Sequence, residues 1–147
     1  MNINDNVFGD LEFEDSWIRK YQQTIFSEKM DIYLRVEGND SKERIRDEQR
    51  NSFKNYELNN EQIIKTVENA VTAYYLDFCQ SIGKPINAKQ EISKVVELTG
   101  IIFPMVLKSG EQTFGLFFEA DCDPENGIGV KFTNGEIEEV STQDILT

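Results

Sequence analysis

Met30, Ile32, Leu34 and Val36 alternate with Asp31, Tyr33, Arg35 and Glu37, the period-two pattern of a strand with one buried face. Leu11 and Phe13 alternate in the same way with Asp10, Glu12 and Glu14, so a strand is predicted over Val7–Phe13. Trp17, Tyr21 and Ile25 recur at every fourth residue, a spacing that suits a strand face or a helix face. The run Thr24-Ile25-Phe26 into the polar break Ser27-Glu28-Lys29 favours the strand. After Gly38-Asn39-Asp40, Ser41 is placed to cap a helix reaching about Tyr56, with Ile45, Phe53 and Tyr56 as a narrow buried stripe. A stronger helix follows over Asn59–Ile82. Asn59 and Gln62 have the spacing of a capping box, and Ile63, Val67, Ala70, Val71, Tyr74 and Phe78 form one apolar face that Gly83 and Pro85 bring to a stop. Asn87 is a candidate cap for a short helix running through Ser93 to Glu97.

In the last third, Ile101, Phe103, Met105 and Leu107 share a strand face, and Pro104 places that strand at an edge or interrupts it. Phe114 to Phe118 is nearly continuous in apolar residues, which predicts a central strand covered on both faces. Ile128, Val130 and Phe132 alternate with Gly129, Lys131 and Thr133, and Asn134-Gly135 predicts a tight hairpin because both residues accept positive φ. That register sets Phe132 opposite Ile137 but Val130 opposite Glu139, leaving Val140 out of phase, so a bulge or the end of pairing is expected near Glu139. The expectation is one α+β domain over residues 1–147. Its mostly antiparallel sheet has about six strands in the order βββ-αα-βββ, with two main helices covering one face.

Composition narrows the chemistry. The chain has no histidine, which removes the commonest general base, the Ser-His and Cys-His nucleophile pairs, and imidazole metal ligands. Its 27 acidic against 15 basic residues give a formal charge of −12. Such a chain repels nucleic-acid phosphates and anionic membranes and attracts a basic protein. A net negative charge also serves plain solubility. Cys79 and Cys122 belong to no CxxC unit. Cys79, on the apolar side of a helix, reads as a small hydrophobe. With no N-terminal apolar run and no apolar stretch near 18 residues, a cytoplasmic location is the expectation.

The segment Phe114-Gly115-Leu116-Phe117-Phe118-Glu119-Ala120-Asp121-Cys122-Asp123-Pro124-Glu125-Asn126-Gly127-Ile128-Gly129-Val130, with Asn134-Gly135-Glu136-Ile137 and Gln143-Asp144, resembles the ending "FGLxFxCxWDxEHGLGVxFxxGxVxEVGxQD" of a family of uncharacterised bacterial domains. A polar helix containing Gln49 and a helix ending in Tyr74-Tyr75 extend the likeness toward the middle of the chain. Cys122 stands where the family has Trp, Asn126 where it has His, and Ser141 where it has Gly. Chemistry resting on that His could not occur in this chain. The resemblance implies an immunity-type companion of polymorphic toxins; it carries no catalytic residues.

Asp121, Asp123 and Glu125 alternate as calcium-loop ligands do, but Asn126 and Phe132 stand where an EF-hand requires Gly and Glu. A turn begun by Asp123 and Pro124 and closed by Gly127 accounts for the same residues. With Glu119 they also supply carboxylates for glycosidase-type acid–base work, although the sequence signals no cleft. Glu136, Glu138 and Glu139 make a negative patch suited to steering toward a basic partner, or an ordinary charged sheet edge. Of the aromatic group Trp17, Tyr21 and Tyr33, Trp17 and Tyr33 are binding anchors if exposed; an aromatic at strand spacing is more often core. The expected function is a non-catalytic protein-binding domain with no cofactor, no nucleic acid and no membrane. The alternative is a carboxylate-dependent enzyme or calcium module using the Asp121–Glu125 loop.

Overall fold

The computed structural model describes residues 1–38, 44–83 and 92–146. Four strands open the chain: β1 (Asn2–Asp5), β2 (Gly9–Glu14), β3 (Ser16–Ile25) and β4 (Glu28–Val36). Helices α1 (Asp47–Leu58) and α2 (Asn60–Ser81) follow, then β5 (Val96–Phe103), β6 (Thr113–Ala120), β7 (Ile128–Thr133) and β8 (Glu136–Ser141). Short 3-10 turns lie at Ile92–Lys94 and Gln143–Leu146.

All eight strands form one sheet whose spatial order is the chain order. Neighbours are antiparallel except β4 and β5, which run parallel, because the helical excursion between them returns the chain to its starting side. The expected α+β class therefore holds, while the six-stranded βββ-αα-βββ arrangement is wrong: the order is ββββ-αα-ββββ in a mixed sheet. β1 escapes pattern reading because an edge strand of four residues needs only one buried side chain, here Asp5. In the second half the strand after the Asn-Gly turn stays paired through Ser141 and makes a fourth.

Other boundaries move for physical reasons. β5 starts at Val96, inside the segment expected to be helical, and ends at Phe103 just before Pro104. Proline thus terminates a central strand, where the sequence reading had an edge or an interruption. Asn59 precedes α2 as expected, but its side chain donates to Asn55 O (3.2 Å) and no side-chain cap bond forms. The buried stripe of α2 is Ile63, Ile64, Val67, Val71, Tyr75 and Cys79; Tyr74 and Phe78 are half-buried beside it and stack on each other. Ser41, Pro85 and Asn87 lie outside the described residues.

The helices cover one face of the sheet. Phe8 stacks on Phe53 of α1, Phe53 meets Phe103, and Phe114 stacks on Phe132, with Tyr56 against Phe103 and Phe114. Each such ring, fully buried, contributes roughly 1.5–3 kcal/mol. Two polar anchors seat α1. Gln49 Nε2 donates to Glu37 O, Phe103 O and Pro104 O (3.0–3.1 Å), while its Oε1 accepts from Arg46 N (2.9 Å). Arg50 grips the buried Asp5 carboxylate through Nε and Nη2 at 3.0 and 2.7 Å. Asp5 also accepts from Val7 N and Phe8 N. Burial raises its pKa, but Arg50 and those two amides outweigh burial and hold the carboxyl below its ordinary range.

Candidate functional site

Two regions collect the residues that the sequence singles out or that the fold brings together: the closing meander, and a groove at the carboxyl ends of β4 and β5.

In the meander the predicted Asn-Gly turn forms, with φ of 50° at Asn134 and 85° at Gly135, and Phe132 pairs with Ile137. Of the two outcomes expected near Glu139, a bulge or the end of pairing, the bulge is the one that forms. Glu138 is the additional residue, so Glu139 faces Lys131 and Val140 returns to phase opposite Val130. Glu136, Glu138 and Glu139 are exposed, and Glu138 Oε2 lies 3.1 Å from Lys131 Nζ. Gln143 N donates to Asn126 O (3.0 Å), which fixes the acidic loop at the far end of β8 from Glu136. At about 3.4 Å per residue, that acidic edge is about 17 Å long.

The loop carboxylates are engaged separately. Asp121 accepts from Tyr75 Oη (2.5 Å) and Asp123 from Asn126 Nδ2 (3.1 Å), while Glu125 is exposed. Among the described residues no three acidic or cysteine side chains converge as metal ligands would. The predicted turn is present: Gly127 N donates to Asp123 O (2.9 Å), with Gly127 at φ +59°.

Gly115, Gly127, Gly129 and Gln143 build a clasp. The Gln143–Leu146 turn folds back over the sheet face opposite the helices. A β-carbon on Gly115 would sit 2.8 Å from Leu146 Cδ1, and one on Gly129 would sit 2.8 Å from Thr142 O. Gln143 Nε2 completes the closure by donating to Phe118 O (2.6 Å). On that face the turn covers β6 at Gly115, while Phe117 stays half-buried and Glu119 exposed, so the cover on both faces that the apolar run predicts is only partial. Glycine on β6 and β7 is what lets the turn lie so close.

The groove was not legible in the sequence. It is a cavity of about 200 Å³ where α1, the 104–111 segment and the C-terminal turn meet. Ile102, Met105, Leu107, Phe114 and Leu146 give it apolar walls, and Glu37, Glu48, Glu111, Lys131 and Ser52 contribute polar groups. Ligands of open α/β sheets favour this location outside the carboxyl ends of parallel strands. Glu48 Oε2 accepts from Gly110 N (3.0 Å), and that bond holds its carboxyl below the ordinary range. Ser52 is 2% exposed, and among the described residues its Oγ meets no hydrogen-bond partner.

The remaining candidates divide. Trp17 is core. Tyr21 is half-buried and donates to Glu57 Oε2 (3.3 Å), its pKa raised to about 12 by burial and by Glu57. Tyr33, 49% exposed, stands on the face opposite the helices. Cys79 is buried as expected, and the fold sets it against Cys122, 43 residues away, a proximity that spacing could not reveal. Burial first, then the Cys79 thiol, push Cys122 up to about 12, so it stays a protonated thiol at neutral pH. Among the described residues no helix is long and apolar enough to cross a membrane.

Comparison with curated proteins finds no match. Comparison with solved structures finds none either. A family model described as a domain of unknown function, DUF6985, matches residues 7–147. That span takes in every strand from β2 onward, both helices, the groove and the clasp, and the chain belongs to this family.

Proposed function

We propose that this chain is a non-catalytic binding domain for a basic protein, met along the acidic edge made by β8 and the 121–127 loop. The observation that carries this reading is the exposure of Glu136, Glu138 and Glu139 on an edge strand of the sheet. With a chain charge of −12, these carboxylates steer a cationic surface toward the edge and raise its association rate. The bulge at Glu138 concentrates them, placing two carboxylates opposite the single Lys131. An immunity-type inhibitor of a bacterial toxin is the specific role that the sequence resemblance adds. The calcium or acid–base alternative has less support, because Tyr75 and Asn126 already engage Asp121 and Asp123.

The test is binding to the product of the adjacent gene, measured against salt. Affinity is expected to fall as ionic strength rises, and Glu136→Gln, Glu138→Gln and Glu139→Gln combined should slow association. A charged edge also discourages strand-to-strand aggregation. If the triple variant aggregates yet associates at the original rate, protection is the edge's role and the proposal fails. Absence of binding at low ionic strength also rejects it.

A further inference from the structure

The strand-end groove combines apolar walls with several carboxylates and a buried hydroxyl that has no hydrogen-bond partner among the described residues. At about 200 Å³ it is smaller than the roughly 300–1,000 Å³ of small-molecule sites, and suits a single large side chain. Its charge is one-sided. Glu37, Glu48 and Glu111 face it, and the one cation among its lining residues, Lys131, is already paired with Glu138 at 3.1 Å. The amino end of α1 would favour an anion, but Asp47 and Glu48 already occupy its first turn. An occupant suited to these walls combines an apolar stem with a cationic tip for the carboxylates. A turn of the Ser52 side chain would bring its hydroxyl, buried without a partner among the described residues, within reach as a further acceptor.

We propose that the groove receives an arginine side chain presented by the partner protein. Its stem lies along Ile102, Met105 and Leu146, and its guanidinium lies among Glu48, Glu111 and Ser52. Arginine fits better than lysine because its five fixed N–H donors can serve several acceptors at once, and its flat, weakly hydrated head enters apolar surroundings more readily. The proposal rests on the protein-binding reading above and gives it an anchor: Lys131 joins the wall of the groove to the carboxylates of β8.

The experiment follows backbone amides by NMR while acetyl-Ala-Arg-Ala-amide is added at low ionic strength, beside the same peptide carrying citrulline. Saturable shifts confined to Met105, Val106, Leu107 and Leu146 are expected, with citrulline binding about tenfold weaker for want of charge-assisted bonds. Glu111→Gln, at the mouth, should weaken the arginine peptide severalfold, and Ser52→Leu, which fills the space, should abolish its binding. Should Ser52→Leu fail to fold, Glu111→Gln decides. Unmoved groove amides, or equal binding of both peptides, overturn the proposal. If a cationic protein still binds the β8 edge while the groove stays silent, the groove reading alone fails. If the peptide seats but no cationic protein binds, the groove survives as a guanidinium site and the protein-binding reading falls.

Discussion

In the tail clasp, Gln143 finds Phe118 O, and the glycines of β6 and β7 leave room for the returning turn. Asp121 and Asp123 are likewise spoken for by Tyr75 and Asn126. In the groove, which shares Gly115 and Leu146 with the clasp, Glu48 and Glu111 each accept one bond, from Gly110 N and Thr113 Oγ1, while the buried Ser52 hydroxyl has no partner among the described residues. The glycines and Gln143 of the tail are thus absorbed in holding the sheet closed, whereas the wall of the groove keeps a buried hydroxyl that packing leaves without a partner among the described residues.

The largest expected effect breaks the clasp. Gly127→Ala forces a β-carbon against Phe118 O and Gln143 Nε2 at φ +59°, which should cost about 3 kcal/mol in chemical denaturation. A loss below about 1 kcal/mol would mean that the turn relaxes freely and the clasp is not tight. Gln49→Leu attacks the wall of the groove instead. It removes the donor to Glu37 O and Pro104 O and the acceptor of the Arg46 amide, while Phe103 O keeps Glu37 N, and a loss of about 2 kcal/mol is expected. Acid acts on the same helix more gently. Because the folded pKa of Asp5 is depressed, its contribution is present above the ordinary carboxylate range, about pH 4, and disappears as pH falls through the lower folded value. Denaturation midpoints should fall over that acid range in the native chain and change less in Asp5→Asn.

The smallest effect sharpens the contrast. Ser52→Ala removes a hydroxyl with no partner among the described residues, so stability should stay the same or rise by up to about 1 kcal/mol, while the arginine peptide binds less well. A clear loss of stability would show that Ser52 is already satisfied and that clasp and groove do not differ in kind.

Two hairpins show how far the sequence could be read. Asn134-Gly135 announces its turn because both residues tolerate positive φ. Phe26 and Ser27 adopt φ of 51° and 63° in a comparable turn; the polar run from Ser27 marks a break there, yet neither residue signals positive φ. There the conformation is held from outside: Phe26 packs against the core, and its N–H donates to Glu68 Oε2 of α2 at 2.6 Å. A local preference is legible from neighbours in sequence, whereas a turn imposed by a helix 42 residues away is not.

By itself the sequence determined the α+β class, the strands with alternating burial, the α2 helix, the Asn-Gly hairpin, and the acidic character of the edge. These follow from short-range periodicity and from charge, which need no partner to be read. Tertiary structure alone decided that β1 joins the sheet, that β4 and β5 lie parallel, that Cys79 meets Cys122, and that Ser52 is buried without a partner among the described residues. Each depends on which distant segments come to lie side by side, and close packing settles that for the whole chain at once.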